Sequence, residues 1–285
     1  MIRVLLGVAI ILAVPGPASA WIVTRNCPLH YALWPEHDPK LVVFGEIGPI
    51  DEDGVMRFRI NRVILGAESY QRKTIKIPVN SFVWPETLVS SFREGTVCIL
   101  VLRLWDGKYH LYTVVPGRDR EYPHAADTKE ARGVLAEELL AQLKAEKSEA
   151  RQRALLLQLA PVLAKDKAGA VEEFLKSTDP WVRRSALAAL VYATEEAKHL
   201  EAAAKDVQNY FKEARGVEWV DGLEPGLRMH PKTLLLEHYF FLEKNTWTWG
   251  TRWDEGEAKK HLRILKGMFD KGVIKDWVRK QLVDE

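Results

Sequence analysis

The chain has 285 residues, 47% hydrophobic and 28% charged, with a formal net charge of +2. That length supports a sizeable core and about two domains. The near-neutral balance supplies no strong field for nucleic acid or an anionic membrane surface, so both are excluded as expected partners.

The first twenty residues read as a targeting segment. Arg3 precedes an apolar run from Val4 to Val14, then a Pro-Gly-Pro break and Ala18-Ser19-Ala20. This is the order of a cleavable secretory signal, with about half the apolar length a membrane span needs. The expected mature protein starts at Trp21, is secreted or periplasmic, and has no span after cleavage. The alternative is an uncleaved N-terminal anchor. Cys27 and Cys98 are the only cysteines. Export places them where disulfides persist, and a bridge between them would contribute roughly 3–4 kcal/mol in the chain-entropy view. The alternative is two separate thiols, Cys98 being buried in an apolar strand.

Residues 41–115 alternate as strands do. LVVFGEIGPI (41–50) is mostly apolar, Asp51-Glu52-Asp53-Gly54 is a turn, and VMRFRINRVIL (55–65) places Met56, Phe58 and Ile60 opposite Arg57, Arg59 and Asn61. TIKIPV (74–79) is a third strand and 85–95 a short helix opened by Pro85 and stopped by Gly95. TVCILVLRLW (96–105) and KYHLYTVV (108–115) pair across Asp106-Gly107. The order β-β-β-α-β-β is that of the OB-fold. A Cys near the mature start, VVFGEI, FRINRVILG and GTVCILVL together resemble the netrin-type and metalloproteinase-inhibitor-like branch of OB-folds. The resemblance implies a five-stranded barrel over residues 21–117.

Residues 118–130 are rich in charge, with few apolar residues, and read as a linker. Helical spacing then runs through residues 131–285: 131–146, 150–165 with a bend or stop at Pro161, 168–177, 180–194, 195–215, 231–245, 255–272 and 274–284. Residues 150–155 and 182–187 echo each other at an offset of 32, matching Arg151 with Arg183, Ala154 with Ala186 and Leu155 with Leu187. The stretch LKSTDPWVRRSALAAL resembles the HEAT repeat through Asp179, Pro180, Val182, Arg183, Ala186, Ala189 and Leu190. Physically, Asp179 suits an N-cap, Pro180 the first helical position, and the apolar residues an i, i+4, i+7, i+8 packing stripe. The resemblance implies stacked helical pairs. The expected fold class is α+β in two domains: an OB-like barrel followed by an all-α HEAT-like domain.

Motifs for chemistry are sparse. No nucleophile elbow, zinc-protease motif, phosphate-binding glycine loop or Cys-x-x-Cys occurs in the sequence. No catalytic residue, metal ligand set or cofactor is expected. Asp51, Glu52 and Asp53 lack the further ligands that Ca²⁺ needs, and His30, His37, His230, His238 and His261 do not make a metal spacing. Arg57, Arg59 and Lys76 read as a solvated sheet face. The loop 245–257 holds Trp247, Trp249, Trp253 and Arg252, a candidate platform for stacking on a glycan or peptide; its alternative is a cap on the helical stack.

The expected function is that of an exported, non-catalytic interaction or scaffold protein with a protein partner. Two alternatives stand beside it. The barrel would act as a protease inhibitor of the metalloproteinase-inhibitor-like type, which implies a free N-terminal cysteine, whereas Cys27 lies six residues past the expected start. Or the Trp-rich loop would serve a glycan- or peptide-binding protein or enzyme.

Overall fold

A computed structural model describes residues 40–78, 93–105, 107–213, 220–221 and 228–229. Five strands form one antiparallel sheet: β1 (Lys40–Ile50), β2 (Val55–Leu65), β3 (Thr74–Pro78), β4 (Val97–Trp105) and β5 (Lys108–Pro116). Their order is β3-β2-β1-β4-β5. The sheet curls until its edge strands, β3 and β5, approach one another as in a half-barrel. Most of the helix expected at 85–95 lies outside the described residues, and its last residues, 93–95, form a turn.

Alternation explains the inner face. Met56, Phe58 and Ile60 are each 0% exposed and pack with Val43, Ile47, Ile77, Leu100 and Leu102 inside the curl. Arg57 and Arg59 point out to solvent. The β1–β2 ladder shifts register between Val42 and Val43, between Phe44 and Gly45, and between Ile47 and Ile50. Such irregularities bend a strand and re-aim its side chains. After them, consecutive residues Val63 and Ile64 face opposite cores. Gly45 sits at this bend because a Cβ there would lie 2.1 Å from the Arg59 carbonyl oxygen.

Five helices follow. We number them α1 (Thr128–Ala145), α2 (Glu149–Leu159), α3 (Gly169–Glu172), α4 (Pro180–Thr194) and α5 (Ala197–Glu213). Asp127 caps α1, its Oδ1 accepting from the Glu130 N–H at 2.8 Å, while the Glu130 carboxylate accepts from Ala126 N–H at 2.8 Å. This reciprocal arrangement is a variant of the capping box. The stop at α2 is Pro161, two residues past its end. The segment expected as one helix at 168–177 instead tightens into a 3-10 turn over Glu173–Lys176. A two-residue pairing of β6 (Val220–Asp221) with β7 (Arg228–Met229) has no counterpart in the sequence reading. The helices expected at 231–245, 255–272 and 274–284 lie outside the described residues.

The outer face of the sheet does not meet water where the helices lie. Val42, Phe44, Ile64, Ile99, Val101 and Val115 join Leu135, Leu139, Leu156, Leu159 and Leu190 in one continuous core. Sheet and helices therefore form an α+β body around two hydrophobic layers, with the sheet between them. Segment 118–130, the expected linker, carries Tyr122 at 5% and Ala125 at 2% exposure. It is a strap packed across the seam between the two parts. Among the described residues, no helix is long and apolar enough to cross a membrane.

Candidate functional site

The strap brings together a buried polar network centred on Glu138. Glu138 lies on α1, one turn from Val134 and Leu135, and is fully buried. A carboxylate taken from water without partners is costly, and here it accepts four hydrogen bonds from three side chains. Arg118 forks onto it through Nε at 2.8 Å and Nη2 at 3.2 Å. Arg120 donates through Nε at 2.7 Å, and Gln142 donates from one turn along the helix at 2.7 Å. Burial alone would push the Glu138 carboxyl up; the hydrogen bonds and the Arg118 charge outweigh it and hold the group below the usual carboxylate range.

Tyr122 fixes the strap that delivers the arginines. Its hydroxyl accepts from the Arg118 N–H at 2.9 Å and donates to the Arg118 carbonyl at 3.0 Å. Its ring meets Phe44 of β1 with centroids 4.9 Å apart, and the Arg120 guanidinium lies 4.6 Å from the ring centre. Further along, the Ala125 N–H donates to the Ile64 carbonyl and His124 Nε2 donates to the Gly66 carbonyl. The sequence reading missed this site because Arg118, Arg120 and Tyr122 fall in its linker. One signal was present: Glu138 interrupts the apolar stripe of Val134, Leu135 and Leu139.

A second network ties α4 to α5. Arg184 forks onto Asp206 at 2.8 and 3.2 Å. Its guanidinium lies against the edge-to-face pair of Trp181 and Tyr210, 4.8 and 4.6 Å from their ring centres, which are themselves 6.0 Å apart. The aromatic contacts and a bidentate carboxylate together fix the group's position. Arg184 is thereby held between α4 and α5.

The two copies of the 32-residue echo lie near the starts of α2 and α4. Asp179 Oδ1 accepts from Trp181 and Val182 N–H at 2.7 and 2.8 Å, with Pro180 opening the helix. Arg183 turns back to the carbonyls of Ser177 and Thr178 at 2.6 and 2.9 Å. Arg151 likewise turns back to Glu146 at 3.5 Å, and Arg153 of α2 reaches Asp179 at 3.8 Å. Val182, Ala186, Ala189 and Leu190 are all buried where α4 packs on α2.

One constellation superficially resembles a catalytic set. Thr194 Oγ1 lies 2.8 Å from His199 Nδ1, and His199 Nε2 lies 3.8 Å from Glu172 Oε1. The Thr194 hydroxyl, however, donates to the Leu190 carbonyl at 2.8 Å and accepts from the Glu196 N–H at 3.2 Å. With its proton spent on a carbonyl, the hydroxyl receives the Nδ1–H. The set locks the turn between α4 and α5, where Glu195 adopts a left-handed φ of 52°. Burial, aided by Lys198 and opposed by Glu196 and Glu172, lowers the His199 pKa.

Other expected positions resolve simply. Asp51 Oδ1 accepts from the Val55 N–H at 2.8 Å, so that carboxylate closes the β1–β2 turn. Among the described residues no group of three His, Cys, Asp or Glu side chains is placed to hold a metal ion. Arg57 stands opposite Lys76 across β2 and β3, while Arg59 hydrogen-bonds Glu46. Cys98 is 1% exposed and packs in the inner core, and burial pushes its thiol pKa up. Its expected partner Cys27 lies outside the described residues, as do Trp247, Trp249, Arg252, Trp253 and His30, His37, His230, His238 and His261. Comparison of the chain with protein-family models and with curated proteins finds no match.

Proposed function

We propose that this chain is an exported, non-catalytic interaction protein, an OB-like barrel carrying a HEAT-like helical stack that holds a protein partner. One observation carries the reading. Helices α2 and α4, which contain the two copies of the echo, pack directly on each other, and α5 continues the row. A row of similar units buries its faces on its neighbours and leaves an extended outer surface for binding. The Asp179 cap, the Arg183 back-contact and the Arg153–Asp179 pair support the HEAT-like part. The pairings β1–β2–β3 and β1–β4–β5, with β3 and β5 drawn together, support the OB-like part.

The test is reconstitution. Cross-linking of the exported protein in its own cells identifies neighbours, and the purified neighbour is then mixed with it. The expected result is a stoichiometric complex by sedimentation, with the neighbour recovered at unchanged mass. A partner cleaved or chemically altered by the protein, or no complex with any neighbour, overturns the proposal. N-terminal sequencing of the exported form checks the start at Trp21.

A further inference from the structure

Glu138 stands where an apolar residue would pack as well. Replacing a buried ion network by well-packed apolar residues is commonly neutral or stabilising, so the network contributes little net stability. Its distinct effect is to fix two guanidiniums in place. Arg118 spends its Nε and one Nη2 hydrogen on Glu138, which leaves the Nη1–Nη2 edge, a second planar fork. Arg120 hydrogen-bonds Glu138 through Nε and also interacts with the Tyr122 side chain, which leaves part of its terminal donor set for a further partner. Both side chains are well exposed, 45% and 36%, above a carboxylate at 0%. Two guanidiniums against one carboxylate leave a positive charge on ordered, half-exposed groups. Of the acids in the same segment, Glu121 pairs with Arg62, and Asp119 is exposed beside the two arginines.

We propose that Arg118 and Arg120 form a receptor for an acidic side chain of a protein partner, an Asp or Glu carboxylate seated on their outward edges. The proposal rests on the interaction reading above and names its partner chemistry. A guanidinium edge matches a carboxylate in a bidentate, planar fit and sheds water more readily than an ammonium does. Because Glu138 and the Tyr122 ring already hold the arginines, little rotamer freedom remains to be lost on binding. The incoming carboxylate completes an alternating row of carboxylate, paired guanidiniums and carboxylate across the seam.

The experiment follows the Arg Nε–H signals by NMR while a capped Glu-rich hexapeptide, or inorganic phosphate, is added to the exported protein. The peptide is expected to move the Arg118 and Arg120 signals saturably, with binding weakened by added salt. Arg120→Gln leaves Arg118 on Glu138 and is expected to weaken peptide binding about tenfold, the loss of one charge-assisted bond. Asp119→Asn removes an exposed acid that lies between the two arginines in sequence and is expected to tighten binding about threefold. Equal peptide affinity in a natively folded Arg120→Gln protein overturns the proposal, and so does a response to phosphate without one to the peptide. A reconstituted partner complex that forms equally well with Arg120→Gln also overturns it, while leaving the interaction reading intact.

Discussion

The two hydrophobic layers on either side of the sheet are built differently. The inner one, enclosed by the curl, is built from apolar side chains such as Phe58, Ile60 and Leu100, with Cys98 among them. The outer one, between sheet and helices, is equally apolar at its centre but is bordered by the Glu138 network and crossed by a strap. Dispersion and burial hold the first, and the alternation of its side chains sets which residues of each strand face inward. The second adds directional contacts between residues 20 positions apart in sequence, Arg118 and Glu138. Directional contacts cost desolvation and return a unique placement of one part on the other.

Substitutions separate the two regimes. Phe58→Ala, at a position 0% exposed in the inner core, is expected to lose about 3–5 kcal/mol through lost burial and a cavity. Denaturant unfolding measures it; a loss under about 1 kcal/mol means the curl collapses freely and is no rigid core. At the seam the direction depends on which partner is removed. Arg118→Ala with Arg120→Ala strands Glu138 as a buried charge with Gln142 alone, and the expected loss is again about 3–5 kcal/mol. Glu138→Leu instead frees two arginines that already reach water, with an expected change within about 1 kcal/mol of zero. If the leucine variant unfolds as readily as the double alanine variant, the seam is stabilised by its charges, and the contrast drawn above fails.

The same contrast explains what the sequence made legible. Period-two alternation in VMRFRINRVIL assigns Met56, Phe58 and Ile60 inward and Arg57 and Arg59 outward, because one face of that strand is buried and the other wet. The Asp179-Pro180 start of α4 is equally local, a cap and a fixed φ within two residues. The strap is not local. Arg118, Arg120 and Tyr122 sit in a polar stretch whose composition matches any linker, and their partners are Glu138 and Phe44. Only the fold brings these together. The bend at Gly45 was hidden for a related reason: it answers to the Arg59 carbonyl on a neighbouring strand.

Gly45→Ala tests that close approach. The added Cβ would lie 2.1 Å from a backbone oxygen, so the ladder must shift, at an expected cost of about 1–3 kcal/mol. An unchanged melting temperature shows that the bend relaxes without penalty. Asp179→Ala removes two accepted N–H bonds at the start of α4 and is expected to cost about 1 kcal/mol. Because the pair with Arg153 links α2 to that cap at 3.8 Å, a double-mutant cycle with Arg153→Ala reports whether the two helices are coupled there. Additive losses mean that only the cap matters.

The smallest expected effect is the pH response of the α4–α5 turn. His199 is 5% exposed, and its folded pKa is lowered by burial and by Lys198, against the pull of Glu172 and Glu196. The unfolded chain therefore takes up this proton more readily than the folded one. Stability from the neutral ring is fully present above the unfolded pKa of about 6.5 and is lost as pH falls through the lower folded value. Lys165, 3.9 Å from Glu196, adds a further positive charge on that side. Melting curves between about pH 7.5 and 5 should fall more steeply for the native protein than for His199→Gln, which carries no titrating ring. Parallel slopes would show that the imidazole titrates alike in both states. The geometry argues against that, since Nδ1–H is committed to Thr194 Oγ1 at 2.8 Å and the second proton must enter on Nε2, within a site that burial and Lys198 make unfavourable to charge.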